Sequence, residues 1–238
     1  MTVGPETASL LSAVELARLL QFGDSAFPIG GFSFSCGLES AIQTKVVRCV
    51  ETLSEFTLTM VDQAARGDGV ALVWAHRAAL AKDVEQLSHV DRQVEARKIS
   101  EEARLMSTRM GRKYLELNDH LIDSEVLRDW RSCVEAGESP GCFPVALGAA
   151  FAVQGMPARA AFVVHQYGAA STILGAALRL MKVSHVDTQA ILYKVNTLSE
   201  SAFLEASATR LNDMAGFAPE ADILASYHTR AHVRLFMS

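Results

Sequence analysis

Helical periodicity runs through almost the whole of this chain, and the signals of a β-sheet are nearly missing. Val14 to Phe22 sets Leu16, Leu19 and Leu20 on one face and stops at Gly23, a residue suited to the position after a helix end. Glu51 to Ala65 carries Leu53, Phe56, Met60, Val61 and Ala64 at the spacing of a core-facing stripe. Gly67 and Gly69 predict a break there, with a short apolar helix resuming over Ala71 to Ala81. Asp83 to Leu117 alternates acids and bases around Val94, Ile99, Leu105, Met106 and Leu115, the pattern of two helices with a solvated face. Two loops follow, Ser139-Pro140-Gly141 and Gly155-Met156-Pro157. Between and after them, Pro144–Gln154 and Ala158–Val183 are rich in Ala and Gly, so helices there can approach closely. Leu192 to Met214 and Pro219 to Val233 complete the set. Aromatic residues are only 7% of the chain, no Asn-Gly or Asp-Gly turn separates alternating runs, and only Ala161 to Val164 looks strand-prone. The expectation is an all-α protein, a single globular domain of roughly ten helices over residues 1–238, with a flexible N-terminus (1–12).

Composition narrows the function classes. At 238 residues and 50% hydrophobic, the chain can bury a full core. A net charge of −5 and a pI near 5.8 argue against a nucleic-acid binder. Cys36, Cys49, Cys133 and Cys142 form no CxxC pair and read as reduced, mostly buried thiols. Met1 to Ser9 carries an acid and no base, unlike a secretory leader. Phe143 to Val153 is too short to span a bilayer, and Ala158 to Met181 is interrupted by Arg159, His165, Gln166 and Arg179. No membrane association and a cytoplasmic location are the expectations.

No catalytic motif survives inspection. Gly23 to Gly31 lacks the Gly-Lys-Ser/Thr ending and the preceding strand of a phosphate loop. Ser33-x-Ser35-x-Gly37 has Ser where the nucleophile elbow needs its first Gly. His228 and His232 share a helix face at zinc-ligand spacing, without a Glu between them or a third ligand. His165 and His185 sit in apolar sequence and read as core or interface histidines. Arg97, Lys98, Arg104, Arg109, Arg112 and Lys113 are balanced by Glu95, Glu101, Glu102 and Glu116, as on a solvated face. Within that set, Arg109-Met110-Gly111-Arg112 holds a glycine costing about 1 kcal/mol in a helix relative to Ala, which calls for a packing reason. Its two arginines suit a loop anchor or an acidic partner surface.

The two ends point to assembly. Gly23 to Glu39 mixes glycines and Pro28 with apolar residues, and the final segment sets Leu235 and Phe236 beside Arg234. Such surfaces suit covering by another protein.

These segments resemble a known family. Asp24-Ser25-x-x-Pro28-x-Gly30-Gly31-Phe32-x-x-Ser35-x-Gly37-Leu38-Glu39 is similar to the signature near the start of the urease accessory protein UreF family. The similarity continues through Arg109-Met110-Gly111-Arg112, Pro144-Val145, Gly148 and Gly155-x-Pro157. Tyr167, Ala176-Ala177-x-Arg179-Leu180, Gln189, His228 and Arg234-Leu235-Phe236-x-Ser238 follow in order, so the match runs from about Leu16 to Ser238. Two positions depart from the family pattern: Ser184-His185 stands where Gly-Gln is usual, and Met237 replaces a basic residue. The resemblance implies an all-α, usually dimeric protein without enzymatic activity or a directly bound cofactor. It implies three partners: a UreD/UreH-like accessory protein, the GTPase UreG and the urease apoprotein. The complex would couple GTP hydrolysis to nickel insertion. The positions carried over as partner-binding are Pro28, Gly30, Gly31, Glu39, Arg109, Arg112, Tyr167, Arg179, Gln189, His228, Arg234, Leu235, Phe236 and Ser238, with residues 228–238 as a partner-binding tail. Three alternatives stand beside this reading. One is a direct nickel metallochaperone using His228, His232 and His185. Another is a divergent paralogue with altered partners, and the third an enzyme built from Ser35, Cys36, His165 or His185.

Overall fold

A computed structural model describes residues 11–24, 26–216 and Phe236. Among them lie ten α-helical segments and no strand, so the protein is all-α. Helices α1 (Ala13–Gly23), α2 (Leu38–Gln43) and α3 (Val50–Ala64) come first. They are followed by α4 (Val70–Leu80), α5 (Val84–Arg97), α6 (Glu101–Leu121) and α7 (Glu125–Glu135). The last three are α8 (Phe143–Val153), α9 (Ala158–Leu180) and α10 (His185–Ala208). Side-chain caps set several of the starts. Ser12 and Glu15 form a reciprocal capping box at α1, while Asp83, Ser100 and Ser124 cap α5, α6 and α7. Each such cap satisfies a backbone N–H that the helix itself leaves open.

The hub is α8. Pro144 through Ala152 are all buried, so this helix has no solvated face and serves as the axis against which α4 and α6 lie. Small residues make that possible. A methyl group on Gly148 would sit 2.4 Å from the Leu72 carbonyl oxygen of α4. One on Gly111 would sit 2.2 Å from the Gly141 carbonyl oxygen, in the loop leading into α8. The glycine inside α6 therefore has its packing reason: backbone touches backbone there.

Two apolar clusters result, and α9 threads both. Its first half, Ala160 to Val164, joins the larger cluster with Phe22, Leu72, Tyr114, Trp130 and Phe151. Its second half, Ala170 to Ala177, joins a smaller one with Leu38, Leu53, Ile191, Val195 and Phe236. By length and composition α9 would suffice to cross a membrane, yet 56% of that stretch is buried inside the protein.

Several sequence expectations need correction. Gly67 and Gly69 do not end the helix. Residues Ala65–Gly69 form a π turn that keeps right-handed angles on both sides, so α3 and α4 run as one rod. Gly69 is required because a methyl there would lie 2.5 Å from the Phe162 ring. Helix α10 starts seven residues before the expected Leu192, on a Ser184–Asp187 capping box. The departure Ser184-His185 thus forms a helix start, and His185 is exposed rather than apolar-surrounded. The strand-prone Ala161 to Val164 lies inside α9. Of the cysteines only Cys142 is fully buried, whereas Cys49 is exposed. The expected helix Pro219 to Val233 and residues 1–10 of the expected flexible N-terminus (1–12) lie outside the described residues, while Ser12 is held as the cap of α1.

Candidate partner-binding surface

The segment from Asp24 to Leu38 is a hydrogen-bonded turn that straps the two clusters together. Asp24 opens it, with its carboxylate accepting from Ala26 N at 2.8 Å and its carbonyl from Phe27 N at 3.0 Å. Phe27 then inserts into the larger cluster, 5.4 Å from the rings of both Phe22 and Tyr114. Gly30 takes φ +80°, which admits the tight bend after Pro28 without the strain an L side chain would bring. The Ser33 hydroxyl donates to the Gly30 carbonyl at 2.9 Å and Phe34 N to the Gly31 carbonyl at 3.2 Å, closing a short 3₁₀ turn. Gly31 rests on Met110 of α6, and Phe34 is buried. At the far end Gly37 at φ +79° starts α2, and Leu38 enters the smaller cluster.

The turn brings together two sets of the sequence-predicted residues. On one side Pro28, Ile29, Gly30, Ser33 and Phe34 face Arg109, Arg112, Lys113 and Glu116 of α6 across an open cleft of about 510 Å³. Arg112 is planted by its loop: its Nε donates to the Pro140 carbonyl at 2.9 Å, and its stem lies against Gly141. Lys113 pairs with Glu116 at 2.8 Å.

On the other side the turn meets the chain's end. The Arg179 guanidinium, at the last turn of α9, donates to the Phe32 carbonyl at 3.2 Å and stacks on the Phe236 ring, its central carbon 4.2 Å from the centroid. Phe236 is 6% exposed in the smaller cluster, and its backbone N–H donates to the buried Glu39 carboxylate at 3.3 Å. Glu39, Arg179 and Phe236 therefore converge, with Phe32 joining them to the turn. Phe32 itself is 72% exposed, and no sequence signal beyond its place in the signature singled it out. Tyr167 is exposed on α9 twelve residues before Arg179, about 18 Å away along the axis, so it lies apart from this group. Gln189 is exposed on the first turns of α10. His228, Arg234, Leu235 and Ser238 lie outside the described residues.

Behind the cleft sits buried polar scaffolding that the sequence reading missed. Asp91 of α5 accepts from Ser139 Oγ and Gly141 N at 2.6 Å and from Cys142 N at 2.8 Å, pinning the loop into α8. Burial pushes its carboxyl above the usual range, against the pull of these donors. At the π turn, Asp68 binds Lys98 Nζ at 2.9 Å, and His165 Nε2 lies 3.8 Å away. Burial works to raise the Asp68 carboxyl, but Lys98 and His165 outweigh it and hold it low. Burial lowers the His165 imidazole against the pull of Asp68, and the ring stacks on Phe143. Burial also pushes the Cys36 thiol up to about 11, which suits a structural role rather than a nucleophile's. Among the described residues no three His, Cys, Asp or Glu side chains converge on a common metal position.

Comparison with known proteins supplies the family. The family model UreF matches residues 47–196. The chain belongs to the UreF family. It is 53% identical to the urease accessory protein UreF 2 of Brucella canis, over 100% of this chain and 98% of the relative. It is 52% identical to UreF 1 of Brucella melitensis with the same coverage. To UreF of Yersinia enterocolitica it is 45% identical, over 95% of this chain and 99% of that protein. The UreF match begins after the glycine-rich turn and ends before the tail, whereas the Brucella relatives align along the whole of this chain.

Proposed function

We propose that this chain is a non-enzymatic assembly factor for urease. It docks a UreD/UreH-like accessory protein and a UreG-like GTPase onto urease apoprotein, acts in the cytoplasm as a homodimer, and couples GTP hydrolysis to nickel insertion. Nickel is cargo in this scheme, delivered to urease by the complex and not held as a cofactor of this chain. The observation that supports the reading is the 52–53% identity, over the whole of this chain, to Brucella proteins named urease accessory protein. The local chemistry agrees with it: the turn, the α6 arginines and Arg179 are held by backbone carbonyls and aromatic contacts, an arrangement that shapes a surface. The test is complementation. A urease gene cluster deleted for its own UreF gene should regain nickel-loaded, active urease when this chain is supplied. Soluble but nickel-free urease under those conditions would contradict the proposal.

A further inference from the structure

Helix α10 turns an uncharged face to solvent. Ile191, Leu192 and Val195 bury its inner side. Directly opposite runs a stripe whose large residues are Val186, Tyr193 and Leu204 and whose small ones are Ala190, Ser201 and Ala208, with Thr197 at its middle. All seven are exposed. The outer face of a surface helix ordinarily carries charge, yet here Val186 is 78% and Tyr193 76% exposed. The charged residues Asp187, Lys194, Glu200 and Glu205 stand to either side of the stripe. Its three flanking acids are already engaged, Asp187 by Ser184, Glu200 by Arg159 and Glu205 by Arg66. Two copies of a chain with net charge −5 can therefore meet along this stripe with little repulsion.

Successive positions of the stripe are four, three, four, four, three and four residues apart, a spacing that reads the same in both directions about Thr197. We infer that α10 of a second copy of this chain lies antiparallel on this face, with a two-fold axis passing at Thr197. Each large residue then meets a small one. Val186 meets the partner's Ala208, Tyr193 the partner's Ser201 and Leu204 the partner's Ala190, while Thr197 meets its own mate. Large against small lets two helices close to about 8–10 Å. A parallel pairing would set Tyr193 on Tyr193 and Ala190 on Ala190, a clash beside a gap. The same patch serves both subunits, as an isologous interface requires, and a helix of an unrelated partner has no need of that symmetry. The stripe is about 33 Å long, so two helices in contact along it bury on the order of 1,000 Å², at the threshold of a specific interface.

This inference rests on the proposal that the chain acts as a homodimer, and it names the surface that joins the two copies. The experiment is light scattering on the purified full chain at micromolar concentration, beside Tyr193→Glu/Leu204→Glu, with circular dichroism to confirm that the variant is folded. The unaltered chain should show twice the chain mass of 25.7 kDa, and the folded variant the single mass. Cross-linking then reads the axis, in a Cys49→Ser background because Cys49 is exposed. Under diamide, Thr197→Cys should form a covalent dimer with its own mate. Val186→Cys should not, since antiparallel pairing puts it about 33 Å from its mate and a disulfide needs Cα atoms about 4.4–6.8 Å apart. A variant that stays dimeric overturns this face while leaving the homodimer reading intact. One that stays dimeric but loses a urease protein gives the face to that partner and equally overturns the inference. No cross-link at Thr197→Cys, or one at Val186→Cys, overturns the antiparallel pairing. If the unaltered chain is monomeric, the homodimer reading itself has failed and the inference fails with it.

Discussion

At the scale of single residues, the glycines separate into two kinds that composition alone does not distinguish. Gly111 and Gly148 lie where a methyl group would meet another backbone at 2.2 and 2.4 Å, and a backbone cannot rotate aside as a side chain can. Gly168 and Gly175 of α9 have nothing within 4 Å of the same position. Alanine at the first pair should destabilise by about 3 kcal/mol, the upper range for overpacking a core. Alanine at Gly168 should stabilise by roughly 0.5–1 kcal/mol, by removing freedom from the unfolded chain and improving helix propensity. Urea denaturation of Gly111→Ala and Gly168→Ala measures both, and equal effects would contradict the packing described. The sequence marked Gly111 as a glycine needing a reason, because helix propensity makes it costly. It held no sign of what the glycine touches, since the Gly141 carbonyl arrives from thirty residues away.

At the scale of elements, most helices were legible because their apolar stripes and breakers are local. Two errors share a cause. At Gly67 and Gly69 a local helix-breaking signal yields to tertiary packing. The π turn inserts one residue, turns Asp68 inward to Lys98, and leaves room at Gly69 for Phe162. At α10 the cap Ser184–Asp187 was readable in the sequence, but apolar periodicity took precedence and the start was set too late. The tail is a separate matter. An apolar terminus suggested a partner-binding element, and Phe236 in fact sits in the chain's own smaller cluster under Arg179. Burial of a phenylalanine is worth about 2 kcal/mol, and in a chain of this size each kcal/mol moves the melting point by about 2–4 °C. Phe236→Ala should therefore lower the melting temperature by about 4–8 °C with helix content unchanged at room temperature. An unshifted melting curve would show that the docked ring adds nothing.

At the scale of the whole molecule, the candidate site was legible as two separate segments and illegible as one surface. Residues 28–34 and 109–112 are far apart in sequence and face each other across the cleft because α6 lies along α8, with Phe27 and Met110 holding the turn against it. Arg179 and Glu39 join the tail to the same turn from the opposite side. The buried pairs behind them, Asp91 with its loop and Asp68 with Lys98, leave no sequence pattern because their partners lie on other elements. The central claim is that this molecule works by holding urease and its accessory proteins together. The direct measurement is size-exclusion chromatography with light scattering on the purified chain mixed with the UreD/UreH-like protein, the UreG-like GTPase with GTP, and urease apoprotein. The account predicts a single assembly containing all four proteins that does not form when this chain is left out. If the chain elutes by itself while the other components associate without it, the claim is contradicted.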